Sequence, residues 1–188
     1  MPRIVDHQAF REELLERSFP LFARRGYAQL SMRQIATELN VSTGTLYHYF
    51  PAKEAIFEQM FASMSRRMAD RVMEFMRQAD SDHSRLEQLF AFTALEEQNL
   101  QDLLLLILDY QRHAGSESTL QFRREIALFF REVIGDKLGR DHSARAGLVL
   151  SILMGILAHR FIDDSIDFAS QADMARDMLL ARSEPVAV

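Results

Sequence analysis

Hydrophobic positions recur along most of this chain at intervals of three and four residues, the spacing that stacks them on one side of an α-helix. In residues 7–25 the inward set is Phe10, Leu14, Leu15, Leu21 and Phe22, with Ser18 among them, and Gly26 marks the end. Pro20 lies inside this helix, where a missing donor and a crowded Glu16 carbonyl predict a kink or a loosened turn. Residues 52–78 predict a long helix bearing Ile56, Phe57, Met60, Phe61, Met64, Met68, Val72, Phe75 and Met76. Further helices are expected at 84–97, 99–113, 117–138, 142–163 and 170–182. No segment alternates in the manner of a strand and no internal repeat is present, so the expected fold class is all-α. Residues 103–108, LLLLIL, are apolar all round and predict burial on every side, at the centre of the C-terminal part.

Between the first helix and the long one lies SMRQIATELNVSTGTLYHYFPAK, residues 31–53, which reads as two short helices joined by a tight turn. Ser31 with Gln34 three positions on has the spacing of a capping box. Ile35, Ala36 and Leu39 form the buried side of the first short helix. Asn40 suits a left-handed turn, and Val41 plugs the angle between the helices. Leu46 and Phe50 face inward from the second helix, which leaves Ser42, Thr43, Gly44, Thr45, Tyr47 and His48 outward. Small and hydrogen-bonding residues at a helix N-terminus, followed by an aromatic and a polar side chain, suit the major groove of DNA.

This block resembles the DNA-binding domain of the TetR family of transcriptional repressors. The likeness runs through Leu21-Phe22, Gly26-Tyr27, Ile35-Ala36, Val41 to Phe50 in the form VSTGTLYHYF, Lys53-Glu54 and Ile56-Phe57, roughly the first third of the chain. The resemblance implies an N-terminal three-helix DNA-binding domain with a helix-turn-helix, residues 1–51. It also implies a C-terminal helical domain for effector binding and dimerisation, residues 52–188. The implied function is a ligand-responsive regulator, chiefly a repressor, that holds a palindromic operator as a homodimer and is released by a small, hydrophobic effector. Carried over position by position, Thr45 and Tyr47 resemble the base and backbone contacts, Tyr49 and Lys53 the phosphate contacts, and Arg33 a groove-edge contact. Ser31, Ser42, Thr43, Gly44 and His48 complete the expected DNA-facing set. Lys53, beside Pro51 in the opening turn of a helix, stands where the helix dipole disfavours a cation and a phosphate would reverse the penalty.

Composition narrows the picture further. The 188 residues contain no cysteine, which excludes disulfides, thiolate metal sites and thiol redox sensing. The opening residues lack an apolar signal region, and the longest apolar run, residues 146–158, is too short for a bilayer, so a cytoplasmic protein with no membrane partner is expected. Net charge is −5, but residues 1–55 hold seven Lys or Arg against six Asp or Glu, a balance of +1 that leaves −6 to the remainder. DNA binding on so weak a field would rest on placed contacts, and nonspecific affinity is expected to be poor and to fall quickly with salt.

In the C-terminal part, aromatic residues and methionines form either a plain core or the adaptable walls of an apolar cavity. The resemblance favours a cavity, with Met64, Met68, Phe92, Tyr110, His113, Phe122 and Phe129 as the candidate effector set. Gly147, Ser151 and Gly155 recur every fourth residue along one helix and permit close approach of a second helix, from the same chain or from a second subunit. The resemblance points to a second subunit, with Met154 and Ile162 joining the interface. Asp109 with His113 and His159 with Asp163 lie at i, i+4 spacing, which keeps a metal-dependent helical enzyme as an alternative, beside an effector-free DNA-binding or interaction protein. Neither pair belongs to a recognisable catalytic motif, and neither a catalytic residue nor a metal or cofactor is expected.

Overall fold

Asp6 starts the first helix: its carboxylate accepts from the backbone N–H of Gln8 at 3.0 Å and of Ala9 at 3.1 Å, which satisfies two donors that have no partner within the helix. In this computed structural model, which describes residues 6–114, 117–138 and 143–181, α1 then spans His7–Arg25. It is continuous through Pro20, whose ring is exposed while Ser18, Leu21 and Phe22 around it are buried. The inner face holds the helix together across the missing bond. Gly26 ends it at φ 75 and ψ 162, a conformation open essentially to glycine alone.

The remaining helices are α2 (Met32–Glu38), α3 (Thr43–Tyr49), α4 (Lys53–Phe75), α5 (Asp82–Leu95), α6 (Glu97–His113), α7 (Glu117–Leu138), α8 (Ser143–Ile162) and α9 (Phe168–Ala181). All regular structure among the described residues is helical, in agreement with the periodicity, and the expected elements lie within a few residues of those observed. Ser81 caps α5 through a capping box with Ser84.

Two compact units emerge, and neither is continuous in sequence. One comprises Met1–Met68 with Asp102–Arg123, the other Ala69–Gln101 with Arg124–Val188. In the first, Leu14, Phe22, Ile35, Leu46, Phe50, Ile56, Phe57, Met60 and Tyr110 are fully buried. An aromatic chain runs through it: Phe22 packs edge-on to Phe57 at 5.6 Å, Phe57 stacks on Tyr110 at 4.3 Å, and Phe61 and Tyr110 both meet Phe122 edge-on, at 5.9 and 5.8 Å. Such pairs add a preferred geometry to the burial itself.

In the second unit α5 crosses α9, and a shallow depression of about 210 Å³ between them is lined by Phe90, Ala91, Ala94, Phe168, Ala172 and Arg176, among others. Glu96, at the C-cap of α5, is buried but ion-paired. Arg71 Nη1 donates to it at 2.9 Å, Nη2 donates to its other oxygen, and Asn99 adds a third donor at 2.9 Å. A carboxylate taken out of water needs such partners.

The expectation of all-round burial for residues 103–108 is wrong. Leu103 and Leu106 are buried, but Leu105 is 39% exposed and Leu108 48% exposed. In this chain α6 presents only one stripe to the interior, continued one turn on by Tyr110, so a wholly apolar run is packed on one side only.

Candidate nucleic-acid interface and its tie to helix α6

The turn between α2 and α3 is built from local chemistry. Ser31 Oγ accepts from Gln34 N while the Gln34 side chain accepts from Ser31 N at 2.9 Å, the reciprocal box that the spacing predicts. At the other end Val41 N–H donates to Ala36 O at 2.9 Å and Asn40 N–H to Thr37 O at 3.1 Å, with Asn40 at φ 56. This six-to-one and five-to-two pairing around a left-handed residue turns the chain sharply out of α2. Ser42 then caps α3, accepting from Thr45 N at 2.9 Å and sharing a hydrogen bond with Thr45 Oγ1 at 2.8 Å. Leu46 and Phe50 anchor α3 in the core.

With its inner face fixed, α3 turns outward the residues that the sequence assigns to DNA. Ser42, Gly44 and His48 are exposed, Thr43 and Thr45 are half-buried, and Tyr47 is 52% exposed. A side chain at Gly44 would meet only Ser42 Oγ, at 3.7 Å, so ordinary packing does not require glycine there. Close approach of another backbone or of a phosphate would. Tyr49 is held more firmly: its hydroxyl is 2.7 Å from His7 Nδ1, and its ring meets Phe10 edge-on at 5.5 Å. Arg33 is exposed on α2 and lines a groove of about 280 Å³ with Arg25, Ser31, Gln34, Thr37 and Glu38, where Arg25 pairs with Glu38 at 2.6 Å.

Lys53 has partners inside the protein. Its ammonium donates to Tyr27 O at 2.8 Å and sits 4.0 Å from the centre of the Tyr27 ring. Burial pushes its pKa below the usual lysine value, against the nearby charges of Glu54 and Asp109. The cation in the first turn of α4 is thus held by a carbonyl and a π-face.

Tyr27 is the centre of a wider network. Its hydroxyl donates to Glu54 at 2.6 Å, and its ring meets Tyr110 edge-on at 4.8 Å. Its backbone N–H donates to Asp109 Oδ2 at 2.6 Å, and Ala28 N–H to the same oxygen at 3.2 Å. Burial raises the Tyr27 pKa far above the ordinary phenol value, and the hydrogen bond to Glu54 adds to the effect. The same hydrogen bond holds the Glu54 carboxyl below its usual range. Tyr110 hydroxyl donates to Glu58 at 2.5 Å. The loop leaving α1, the first turns of α4 and the C-terminal half of α6 are therefore joined by polar contacts as well as by rings. In the sequence, Asp109 offers only its i, i+4 spacing to His113. They do pair, at 3.0 Å, but the same carboxylate also clasps an amide 82 positions away. No local pattern could have shown that contact.

The candidate effector residues are distributed over both units. Met68, Tyr110 and Phe122 are buried in the first unit, with Met64 half-buried in the same unit, while His113 is exposed. Phe92 and Phe129 belong to the second unit, where Phe92 packs on Phe75 at 5.7 Å and Phe129 on Phe130 at 5.5 Å. On α8, Gly147 is half-buried, and Ser151, Met154, Gly155 and Ile162 are exposed. A side chain built at Gly147 or Gly155 would meet nothing within 4 Å among the described residues. Leu148, Phe161, Met174 and Met178 extend this exposed apolar surface over α8 and α9. Asp163 Oδ1 accepts from Ser165 N and Oγ, which lower its pKa, so this carboxylate caps a turn.

Comparison with known proteins follows the same lines. Residues 14–60 match the family described as bacterial regulatory proteins, tetR family. The chain is similar to the HTH-type transcriptional regulator PksA of Bacillus subtilis, 22% identical over 172 residues, covering 87% of this chain and 84% of that one. It is 31% identical over 93 residues to the HTH-type transcriptional repressor KstR2 of Mycolicibacterium smegmatis, covering 48% of this chain and 45% of the relative. Among solved structures, the regulator FadR of Bacillus subtilis in complex with stearoyl-CoA superposes with a TM-score of 0.70 at 15% identity. That match covers 92% of this chain and 99% of the other.

Proposed function

Because the chain belongs to the TetR family of bacterial transcriptional regulators, as the match of residues 14–60 and its regulator relatives show, we propose that it is an effector-responsive repressor. It acts in the cytoplasm as a homodimer on a palindromic operator. The observation that carries this reading is the Ser42-capped α3, anchored by Leu46 and Phe50, with Tyr47 and His48 exposed on its outer face. One such helix reads few base pairs, and two related by a dimer axis read enough for specificity. Thr43, Thr45 and Tyr47 meet base edges and backbone, Arg33 the groove edge, and Ser31 and Tyr49 phosphates. Lys53, already bound to Tyr27, uses its remaining donors toward DNA.

Dimerisation is assigned to α8 and α9. The open strip of Gly147, Ser151 and Gly155, with exposed Met154, Phe161, Ile162 and Met178 around it, suits a symmetric helix crossing. DNA reading falls to residues 1–51, and effector binding and dimerisation to residues 52–188. The effector is small and largely apolar. FadR of Bacillus subtilis, of similar fold, was crystallised with stearoyl-CoA, and Met64, Met68, Tyr110 and Phe122 here supply soft and aromatic surface. Occupancy among α4, α6 and α7 biases the contacts of Tyr27 with Asp109, Lys53 and Glu54, and so the position of the head.

The test is selection of bound sequences from a randomised duplex library at near-physiological salt. A palindromic consensus is the expected result, and absence of any enrichment by folded protein refutes it. Loss of binding when Gly147 and Gly155 are both replaced by leucine, with conversion to monomer, checks the dimer.

A further inference from the structure

The inner stripe of α4 consists of Ile56, Phe57, Met60, Phe61, Ser65, Met68 and Val72, all buried, and Ser65 is its one polar member. Ser65 is 0% exposed and its Oγ has no hydrogen-bond partner among the described residues. Hydroxyls in helices ordinarily escape this state by bonding the carbonyl four residues back. Ser18 does so to Leu14 at 2.7 Å, Thr37 to Arg33 at 2.9 Å, Thr93 to Leu89 at 2.8 Å and Ser151 to Gly147 at 2.9 Å. Ser65 does not, although the Phe61 carbonyl stands at the same spacing. A buried hydroxyl left unsatisfied destabilises the fold, and alanine in its place would pack equally well without the penalty.

We infer that Ser65 is the polar anchor of the effector site, and that the effector is an apolar molecule carrying a neutral carbonyl, whose oxygen accepts the Ser65 hydroxyl. The inference rests on the reading that this unit binds an effector. The surroundings define the class. Phe61 lies one turn before Ser65 on the same face and meets Phe122, while Met68 lies one turn after it. Both Met64 and Met68 give surface that adapts to shape. Charge does not favour an anionic headgroup at this point: no Arg or Lys among the described residues of the unit is fully buried, and Arg67, two positions on, already pairs with Glu16 and donates to Met64 Sδ. A single hydroxyl can distinguish a ligand with an acceptor from its hydrocarbon counterpart, because only the former satisfies the buried group.

The matched probes are 2-acetylnaphthalene and 2-ethylnaphthalene, nearly equal in shape and differing by a carbonyl, titrated against the DNA-free protein and followed by their fluorescence. The wild type is expected to bind the ketone about tenfold more tightly, and Ser65→Ala to reduce that preference to near unity by weakening the ketone alone. Without probe, Ser65→Ala is expected to melt about 2–4 °C higher than wild type, the opposite sign to its effect on the ketone. An unchanged preference in Ser65→Ala overturns the role of Ser65 while leaving an effector site standing. A lowered melting temperature of the probe-free variant overturns it as well, since Ser65 would then have a partner within the fold. Failure of the wild type to bind either probe overturns both the ligand class and the effector site in this unit.

Discussion

Asp109 Oδ2 lies 2.6 Å from the backbone N of Tyr27, so a carboxylate on α6 terminates the loop that leaves α1. The same oxygen accepts from Ala28 N, and Asp109 Oδ1 is 3.0 Å from His113 Nδ1. Charge-assisted bonds to two amides are stronger than neutral ones. Asp109→Asn is expected to lower stability by about 1–2 kcal/mol and Asp109→Ala by more, read from denaturant midpoints at unchanged slope.

Gly26 and Asp109 should be energetically coupled. A Cβ on Gly26 would sit 2.9 Å from Asp109 Oδ2, and the backbone there has φ 75. Gly26→Ala is expected to cost about 1–3 kcal/mol from backbone strain, with a further loss from displacing the carboxylate. In the Asp109→Ala background that further loss should vanish, so the double variant is less damaged than the two single effects combined. Strict additivity in a double-mutant cycle would contradict the contact.

Tyr27 and Glu54 link stability to pH. The hydrogen bond from the Tyr27 hydroxyl lowers the folded-state pKa of Glu54, so the folded protein holds the ionised form more tightly than the unfolded chain does. The stabilisation is complete above the unfolded pKa and is lost as pH falls through the lowered folded value, in the acid range below about 4.5. Tyr27→Phe should therefore destabilise at pH 7 and show a shallower acid limb. Melting temperatures from pH 7 to pH 3 test this.

On α3 two substitutions should separate folding from recognition. Ser42→Ala removes the acceptor for Thr45 N and is expected to cost about 1 kcal/mol of stability as well as operator affinity. Tyr47→Ala removes a half-exposed ring and should leave the melting temperature within about a degree while weakening operator binding. Equal operator affinity for Tyr47→Ala and wild type would remove Tyr47 from the interface.

Arg71 compensates a buried charge. With Arg71→Met, Glu96 loses both guanidinium donors and keeps that of Asn99, and a loss of about 1–3 kcal/mol is expected, discounted because Arg71 itself is half-exposed. Glu96→Gln with Arg71→Met should recover part of it.

The sequence determined the local structure of this protein. Caps, glycine stops, the left-handed Asn40 and the three-to-four spacing act over a few residues, so α1, α3 and α4 are legible in the sequence with their inner and outer faces. The Ser31–Gln34 box and the Gly26 stop fall where their residue types require. Tertiary structure alone decided which distant groups meet. The clasp of Asp109 on Tyr27 spans 82 positions, and Glu58 meets Tyr110 across 52. It also decided how far an apolar run is covered: residues 103–108 are uniformly hydrophobic, yet Leu105 and Leu108 face outward because one stripe of α6 packs inside this chain. The lone Ser65 could be read as a polar residue in an apolar stripe, but its lack of a partner could not, since burial and hydrogen bonding are properties of the packed chain.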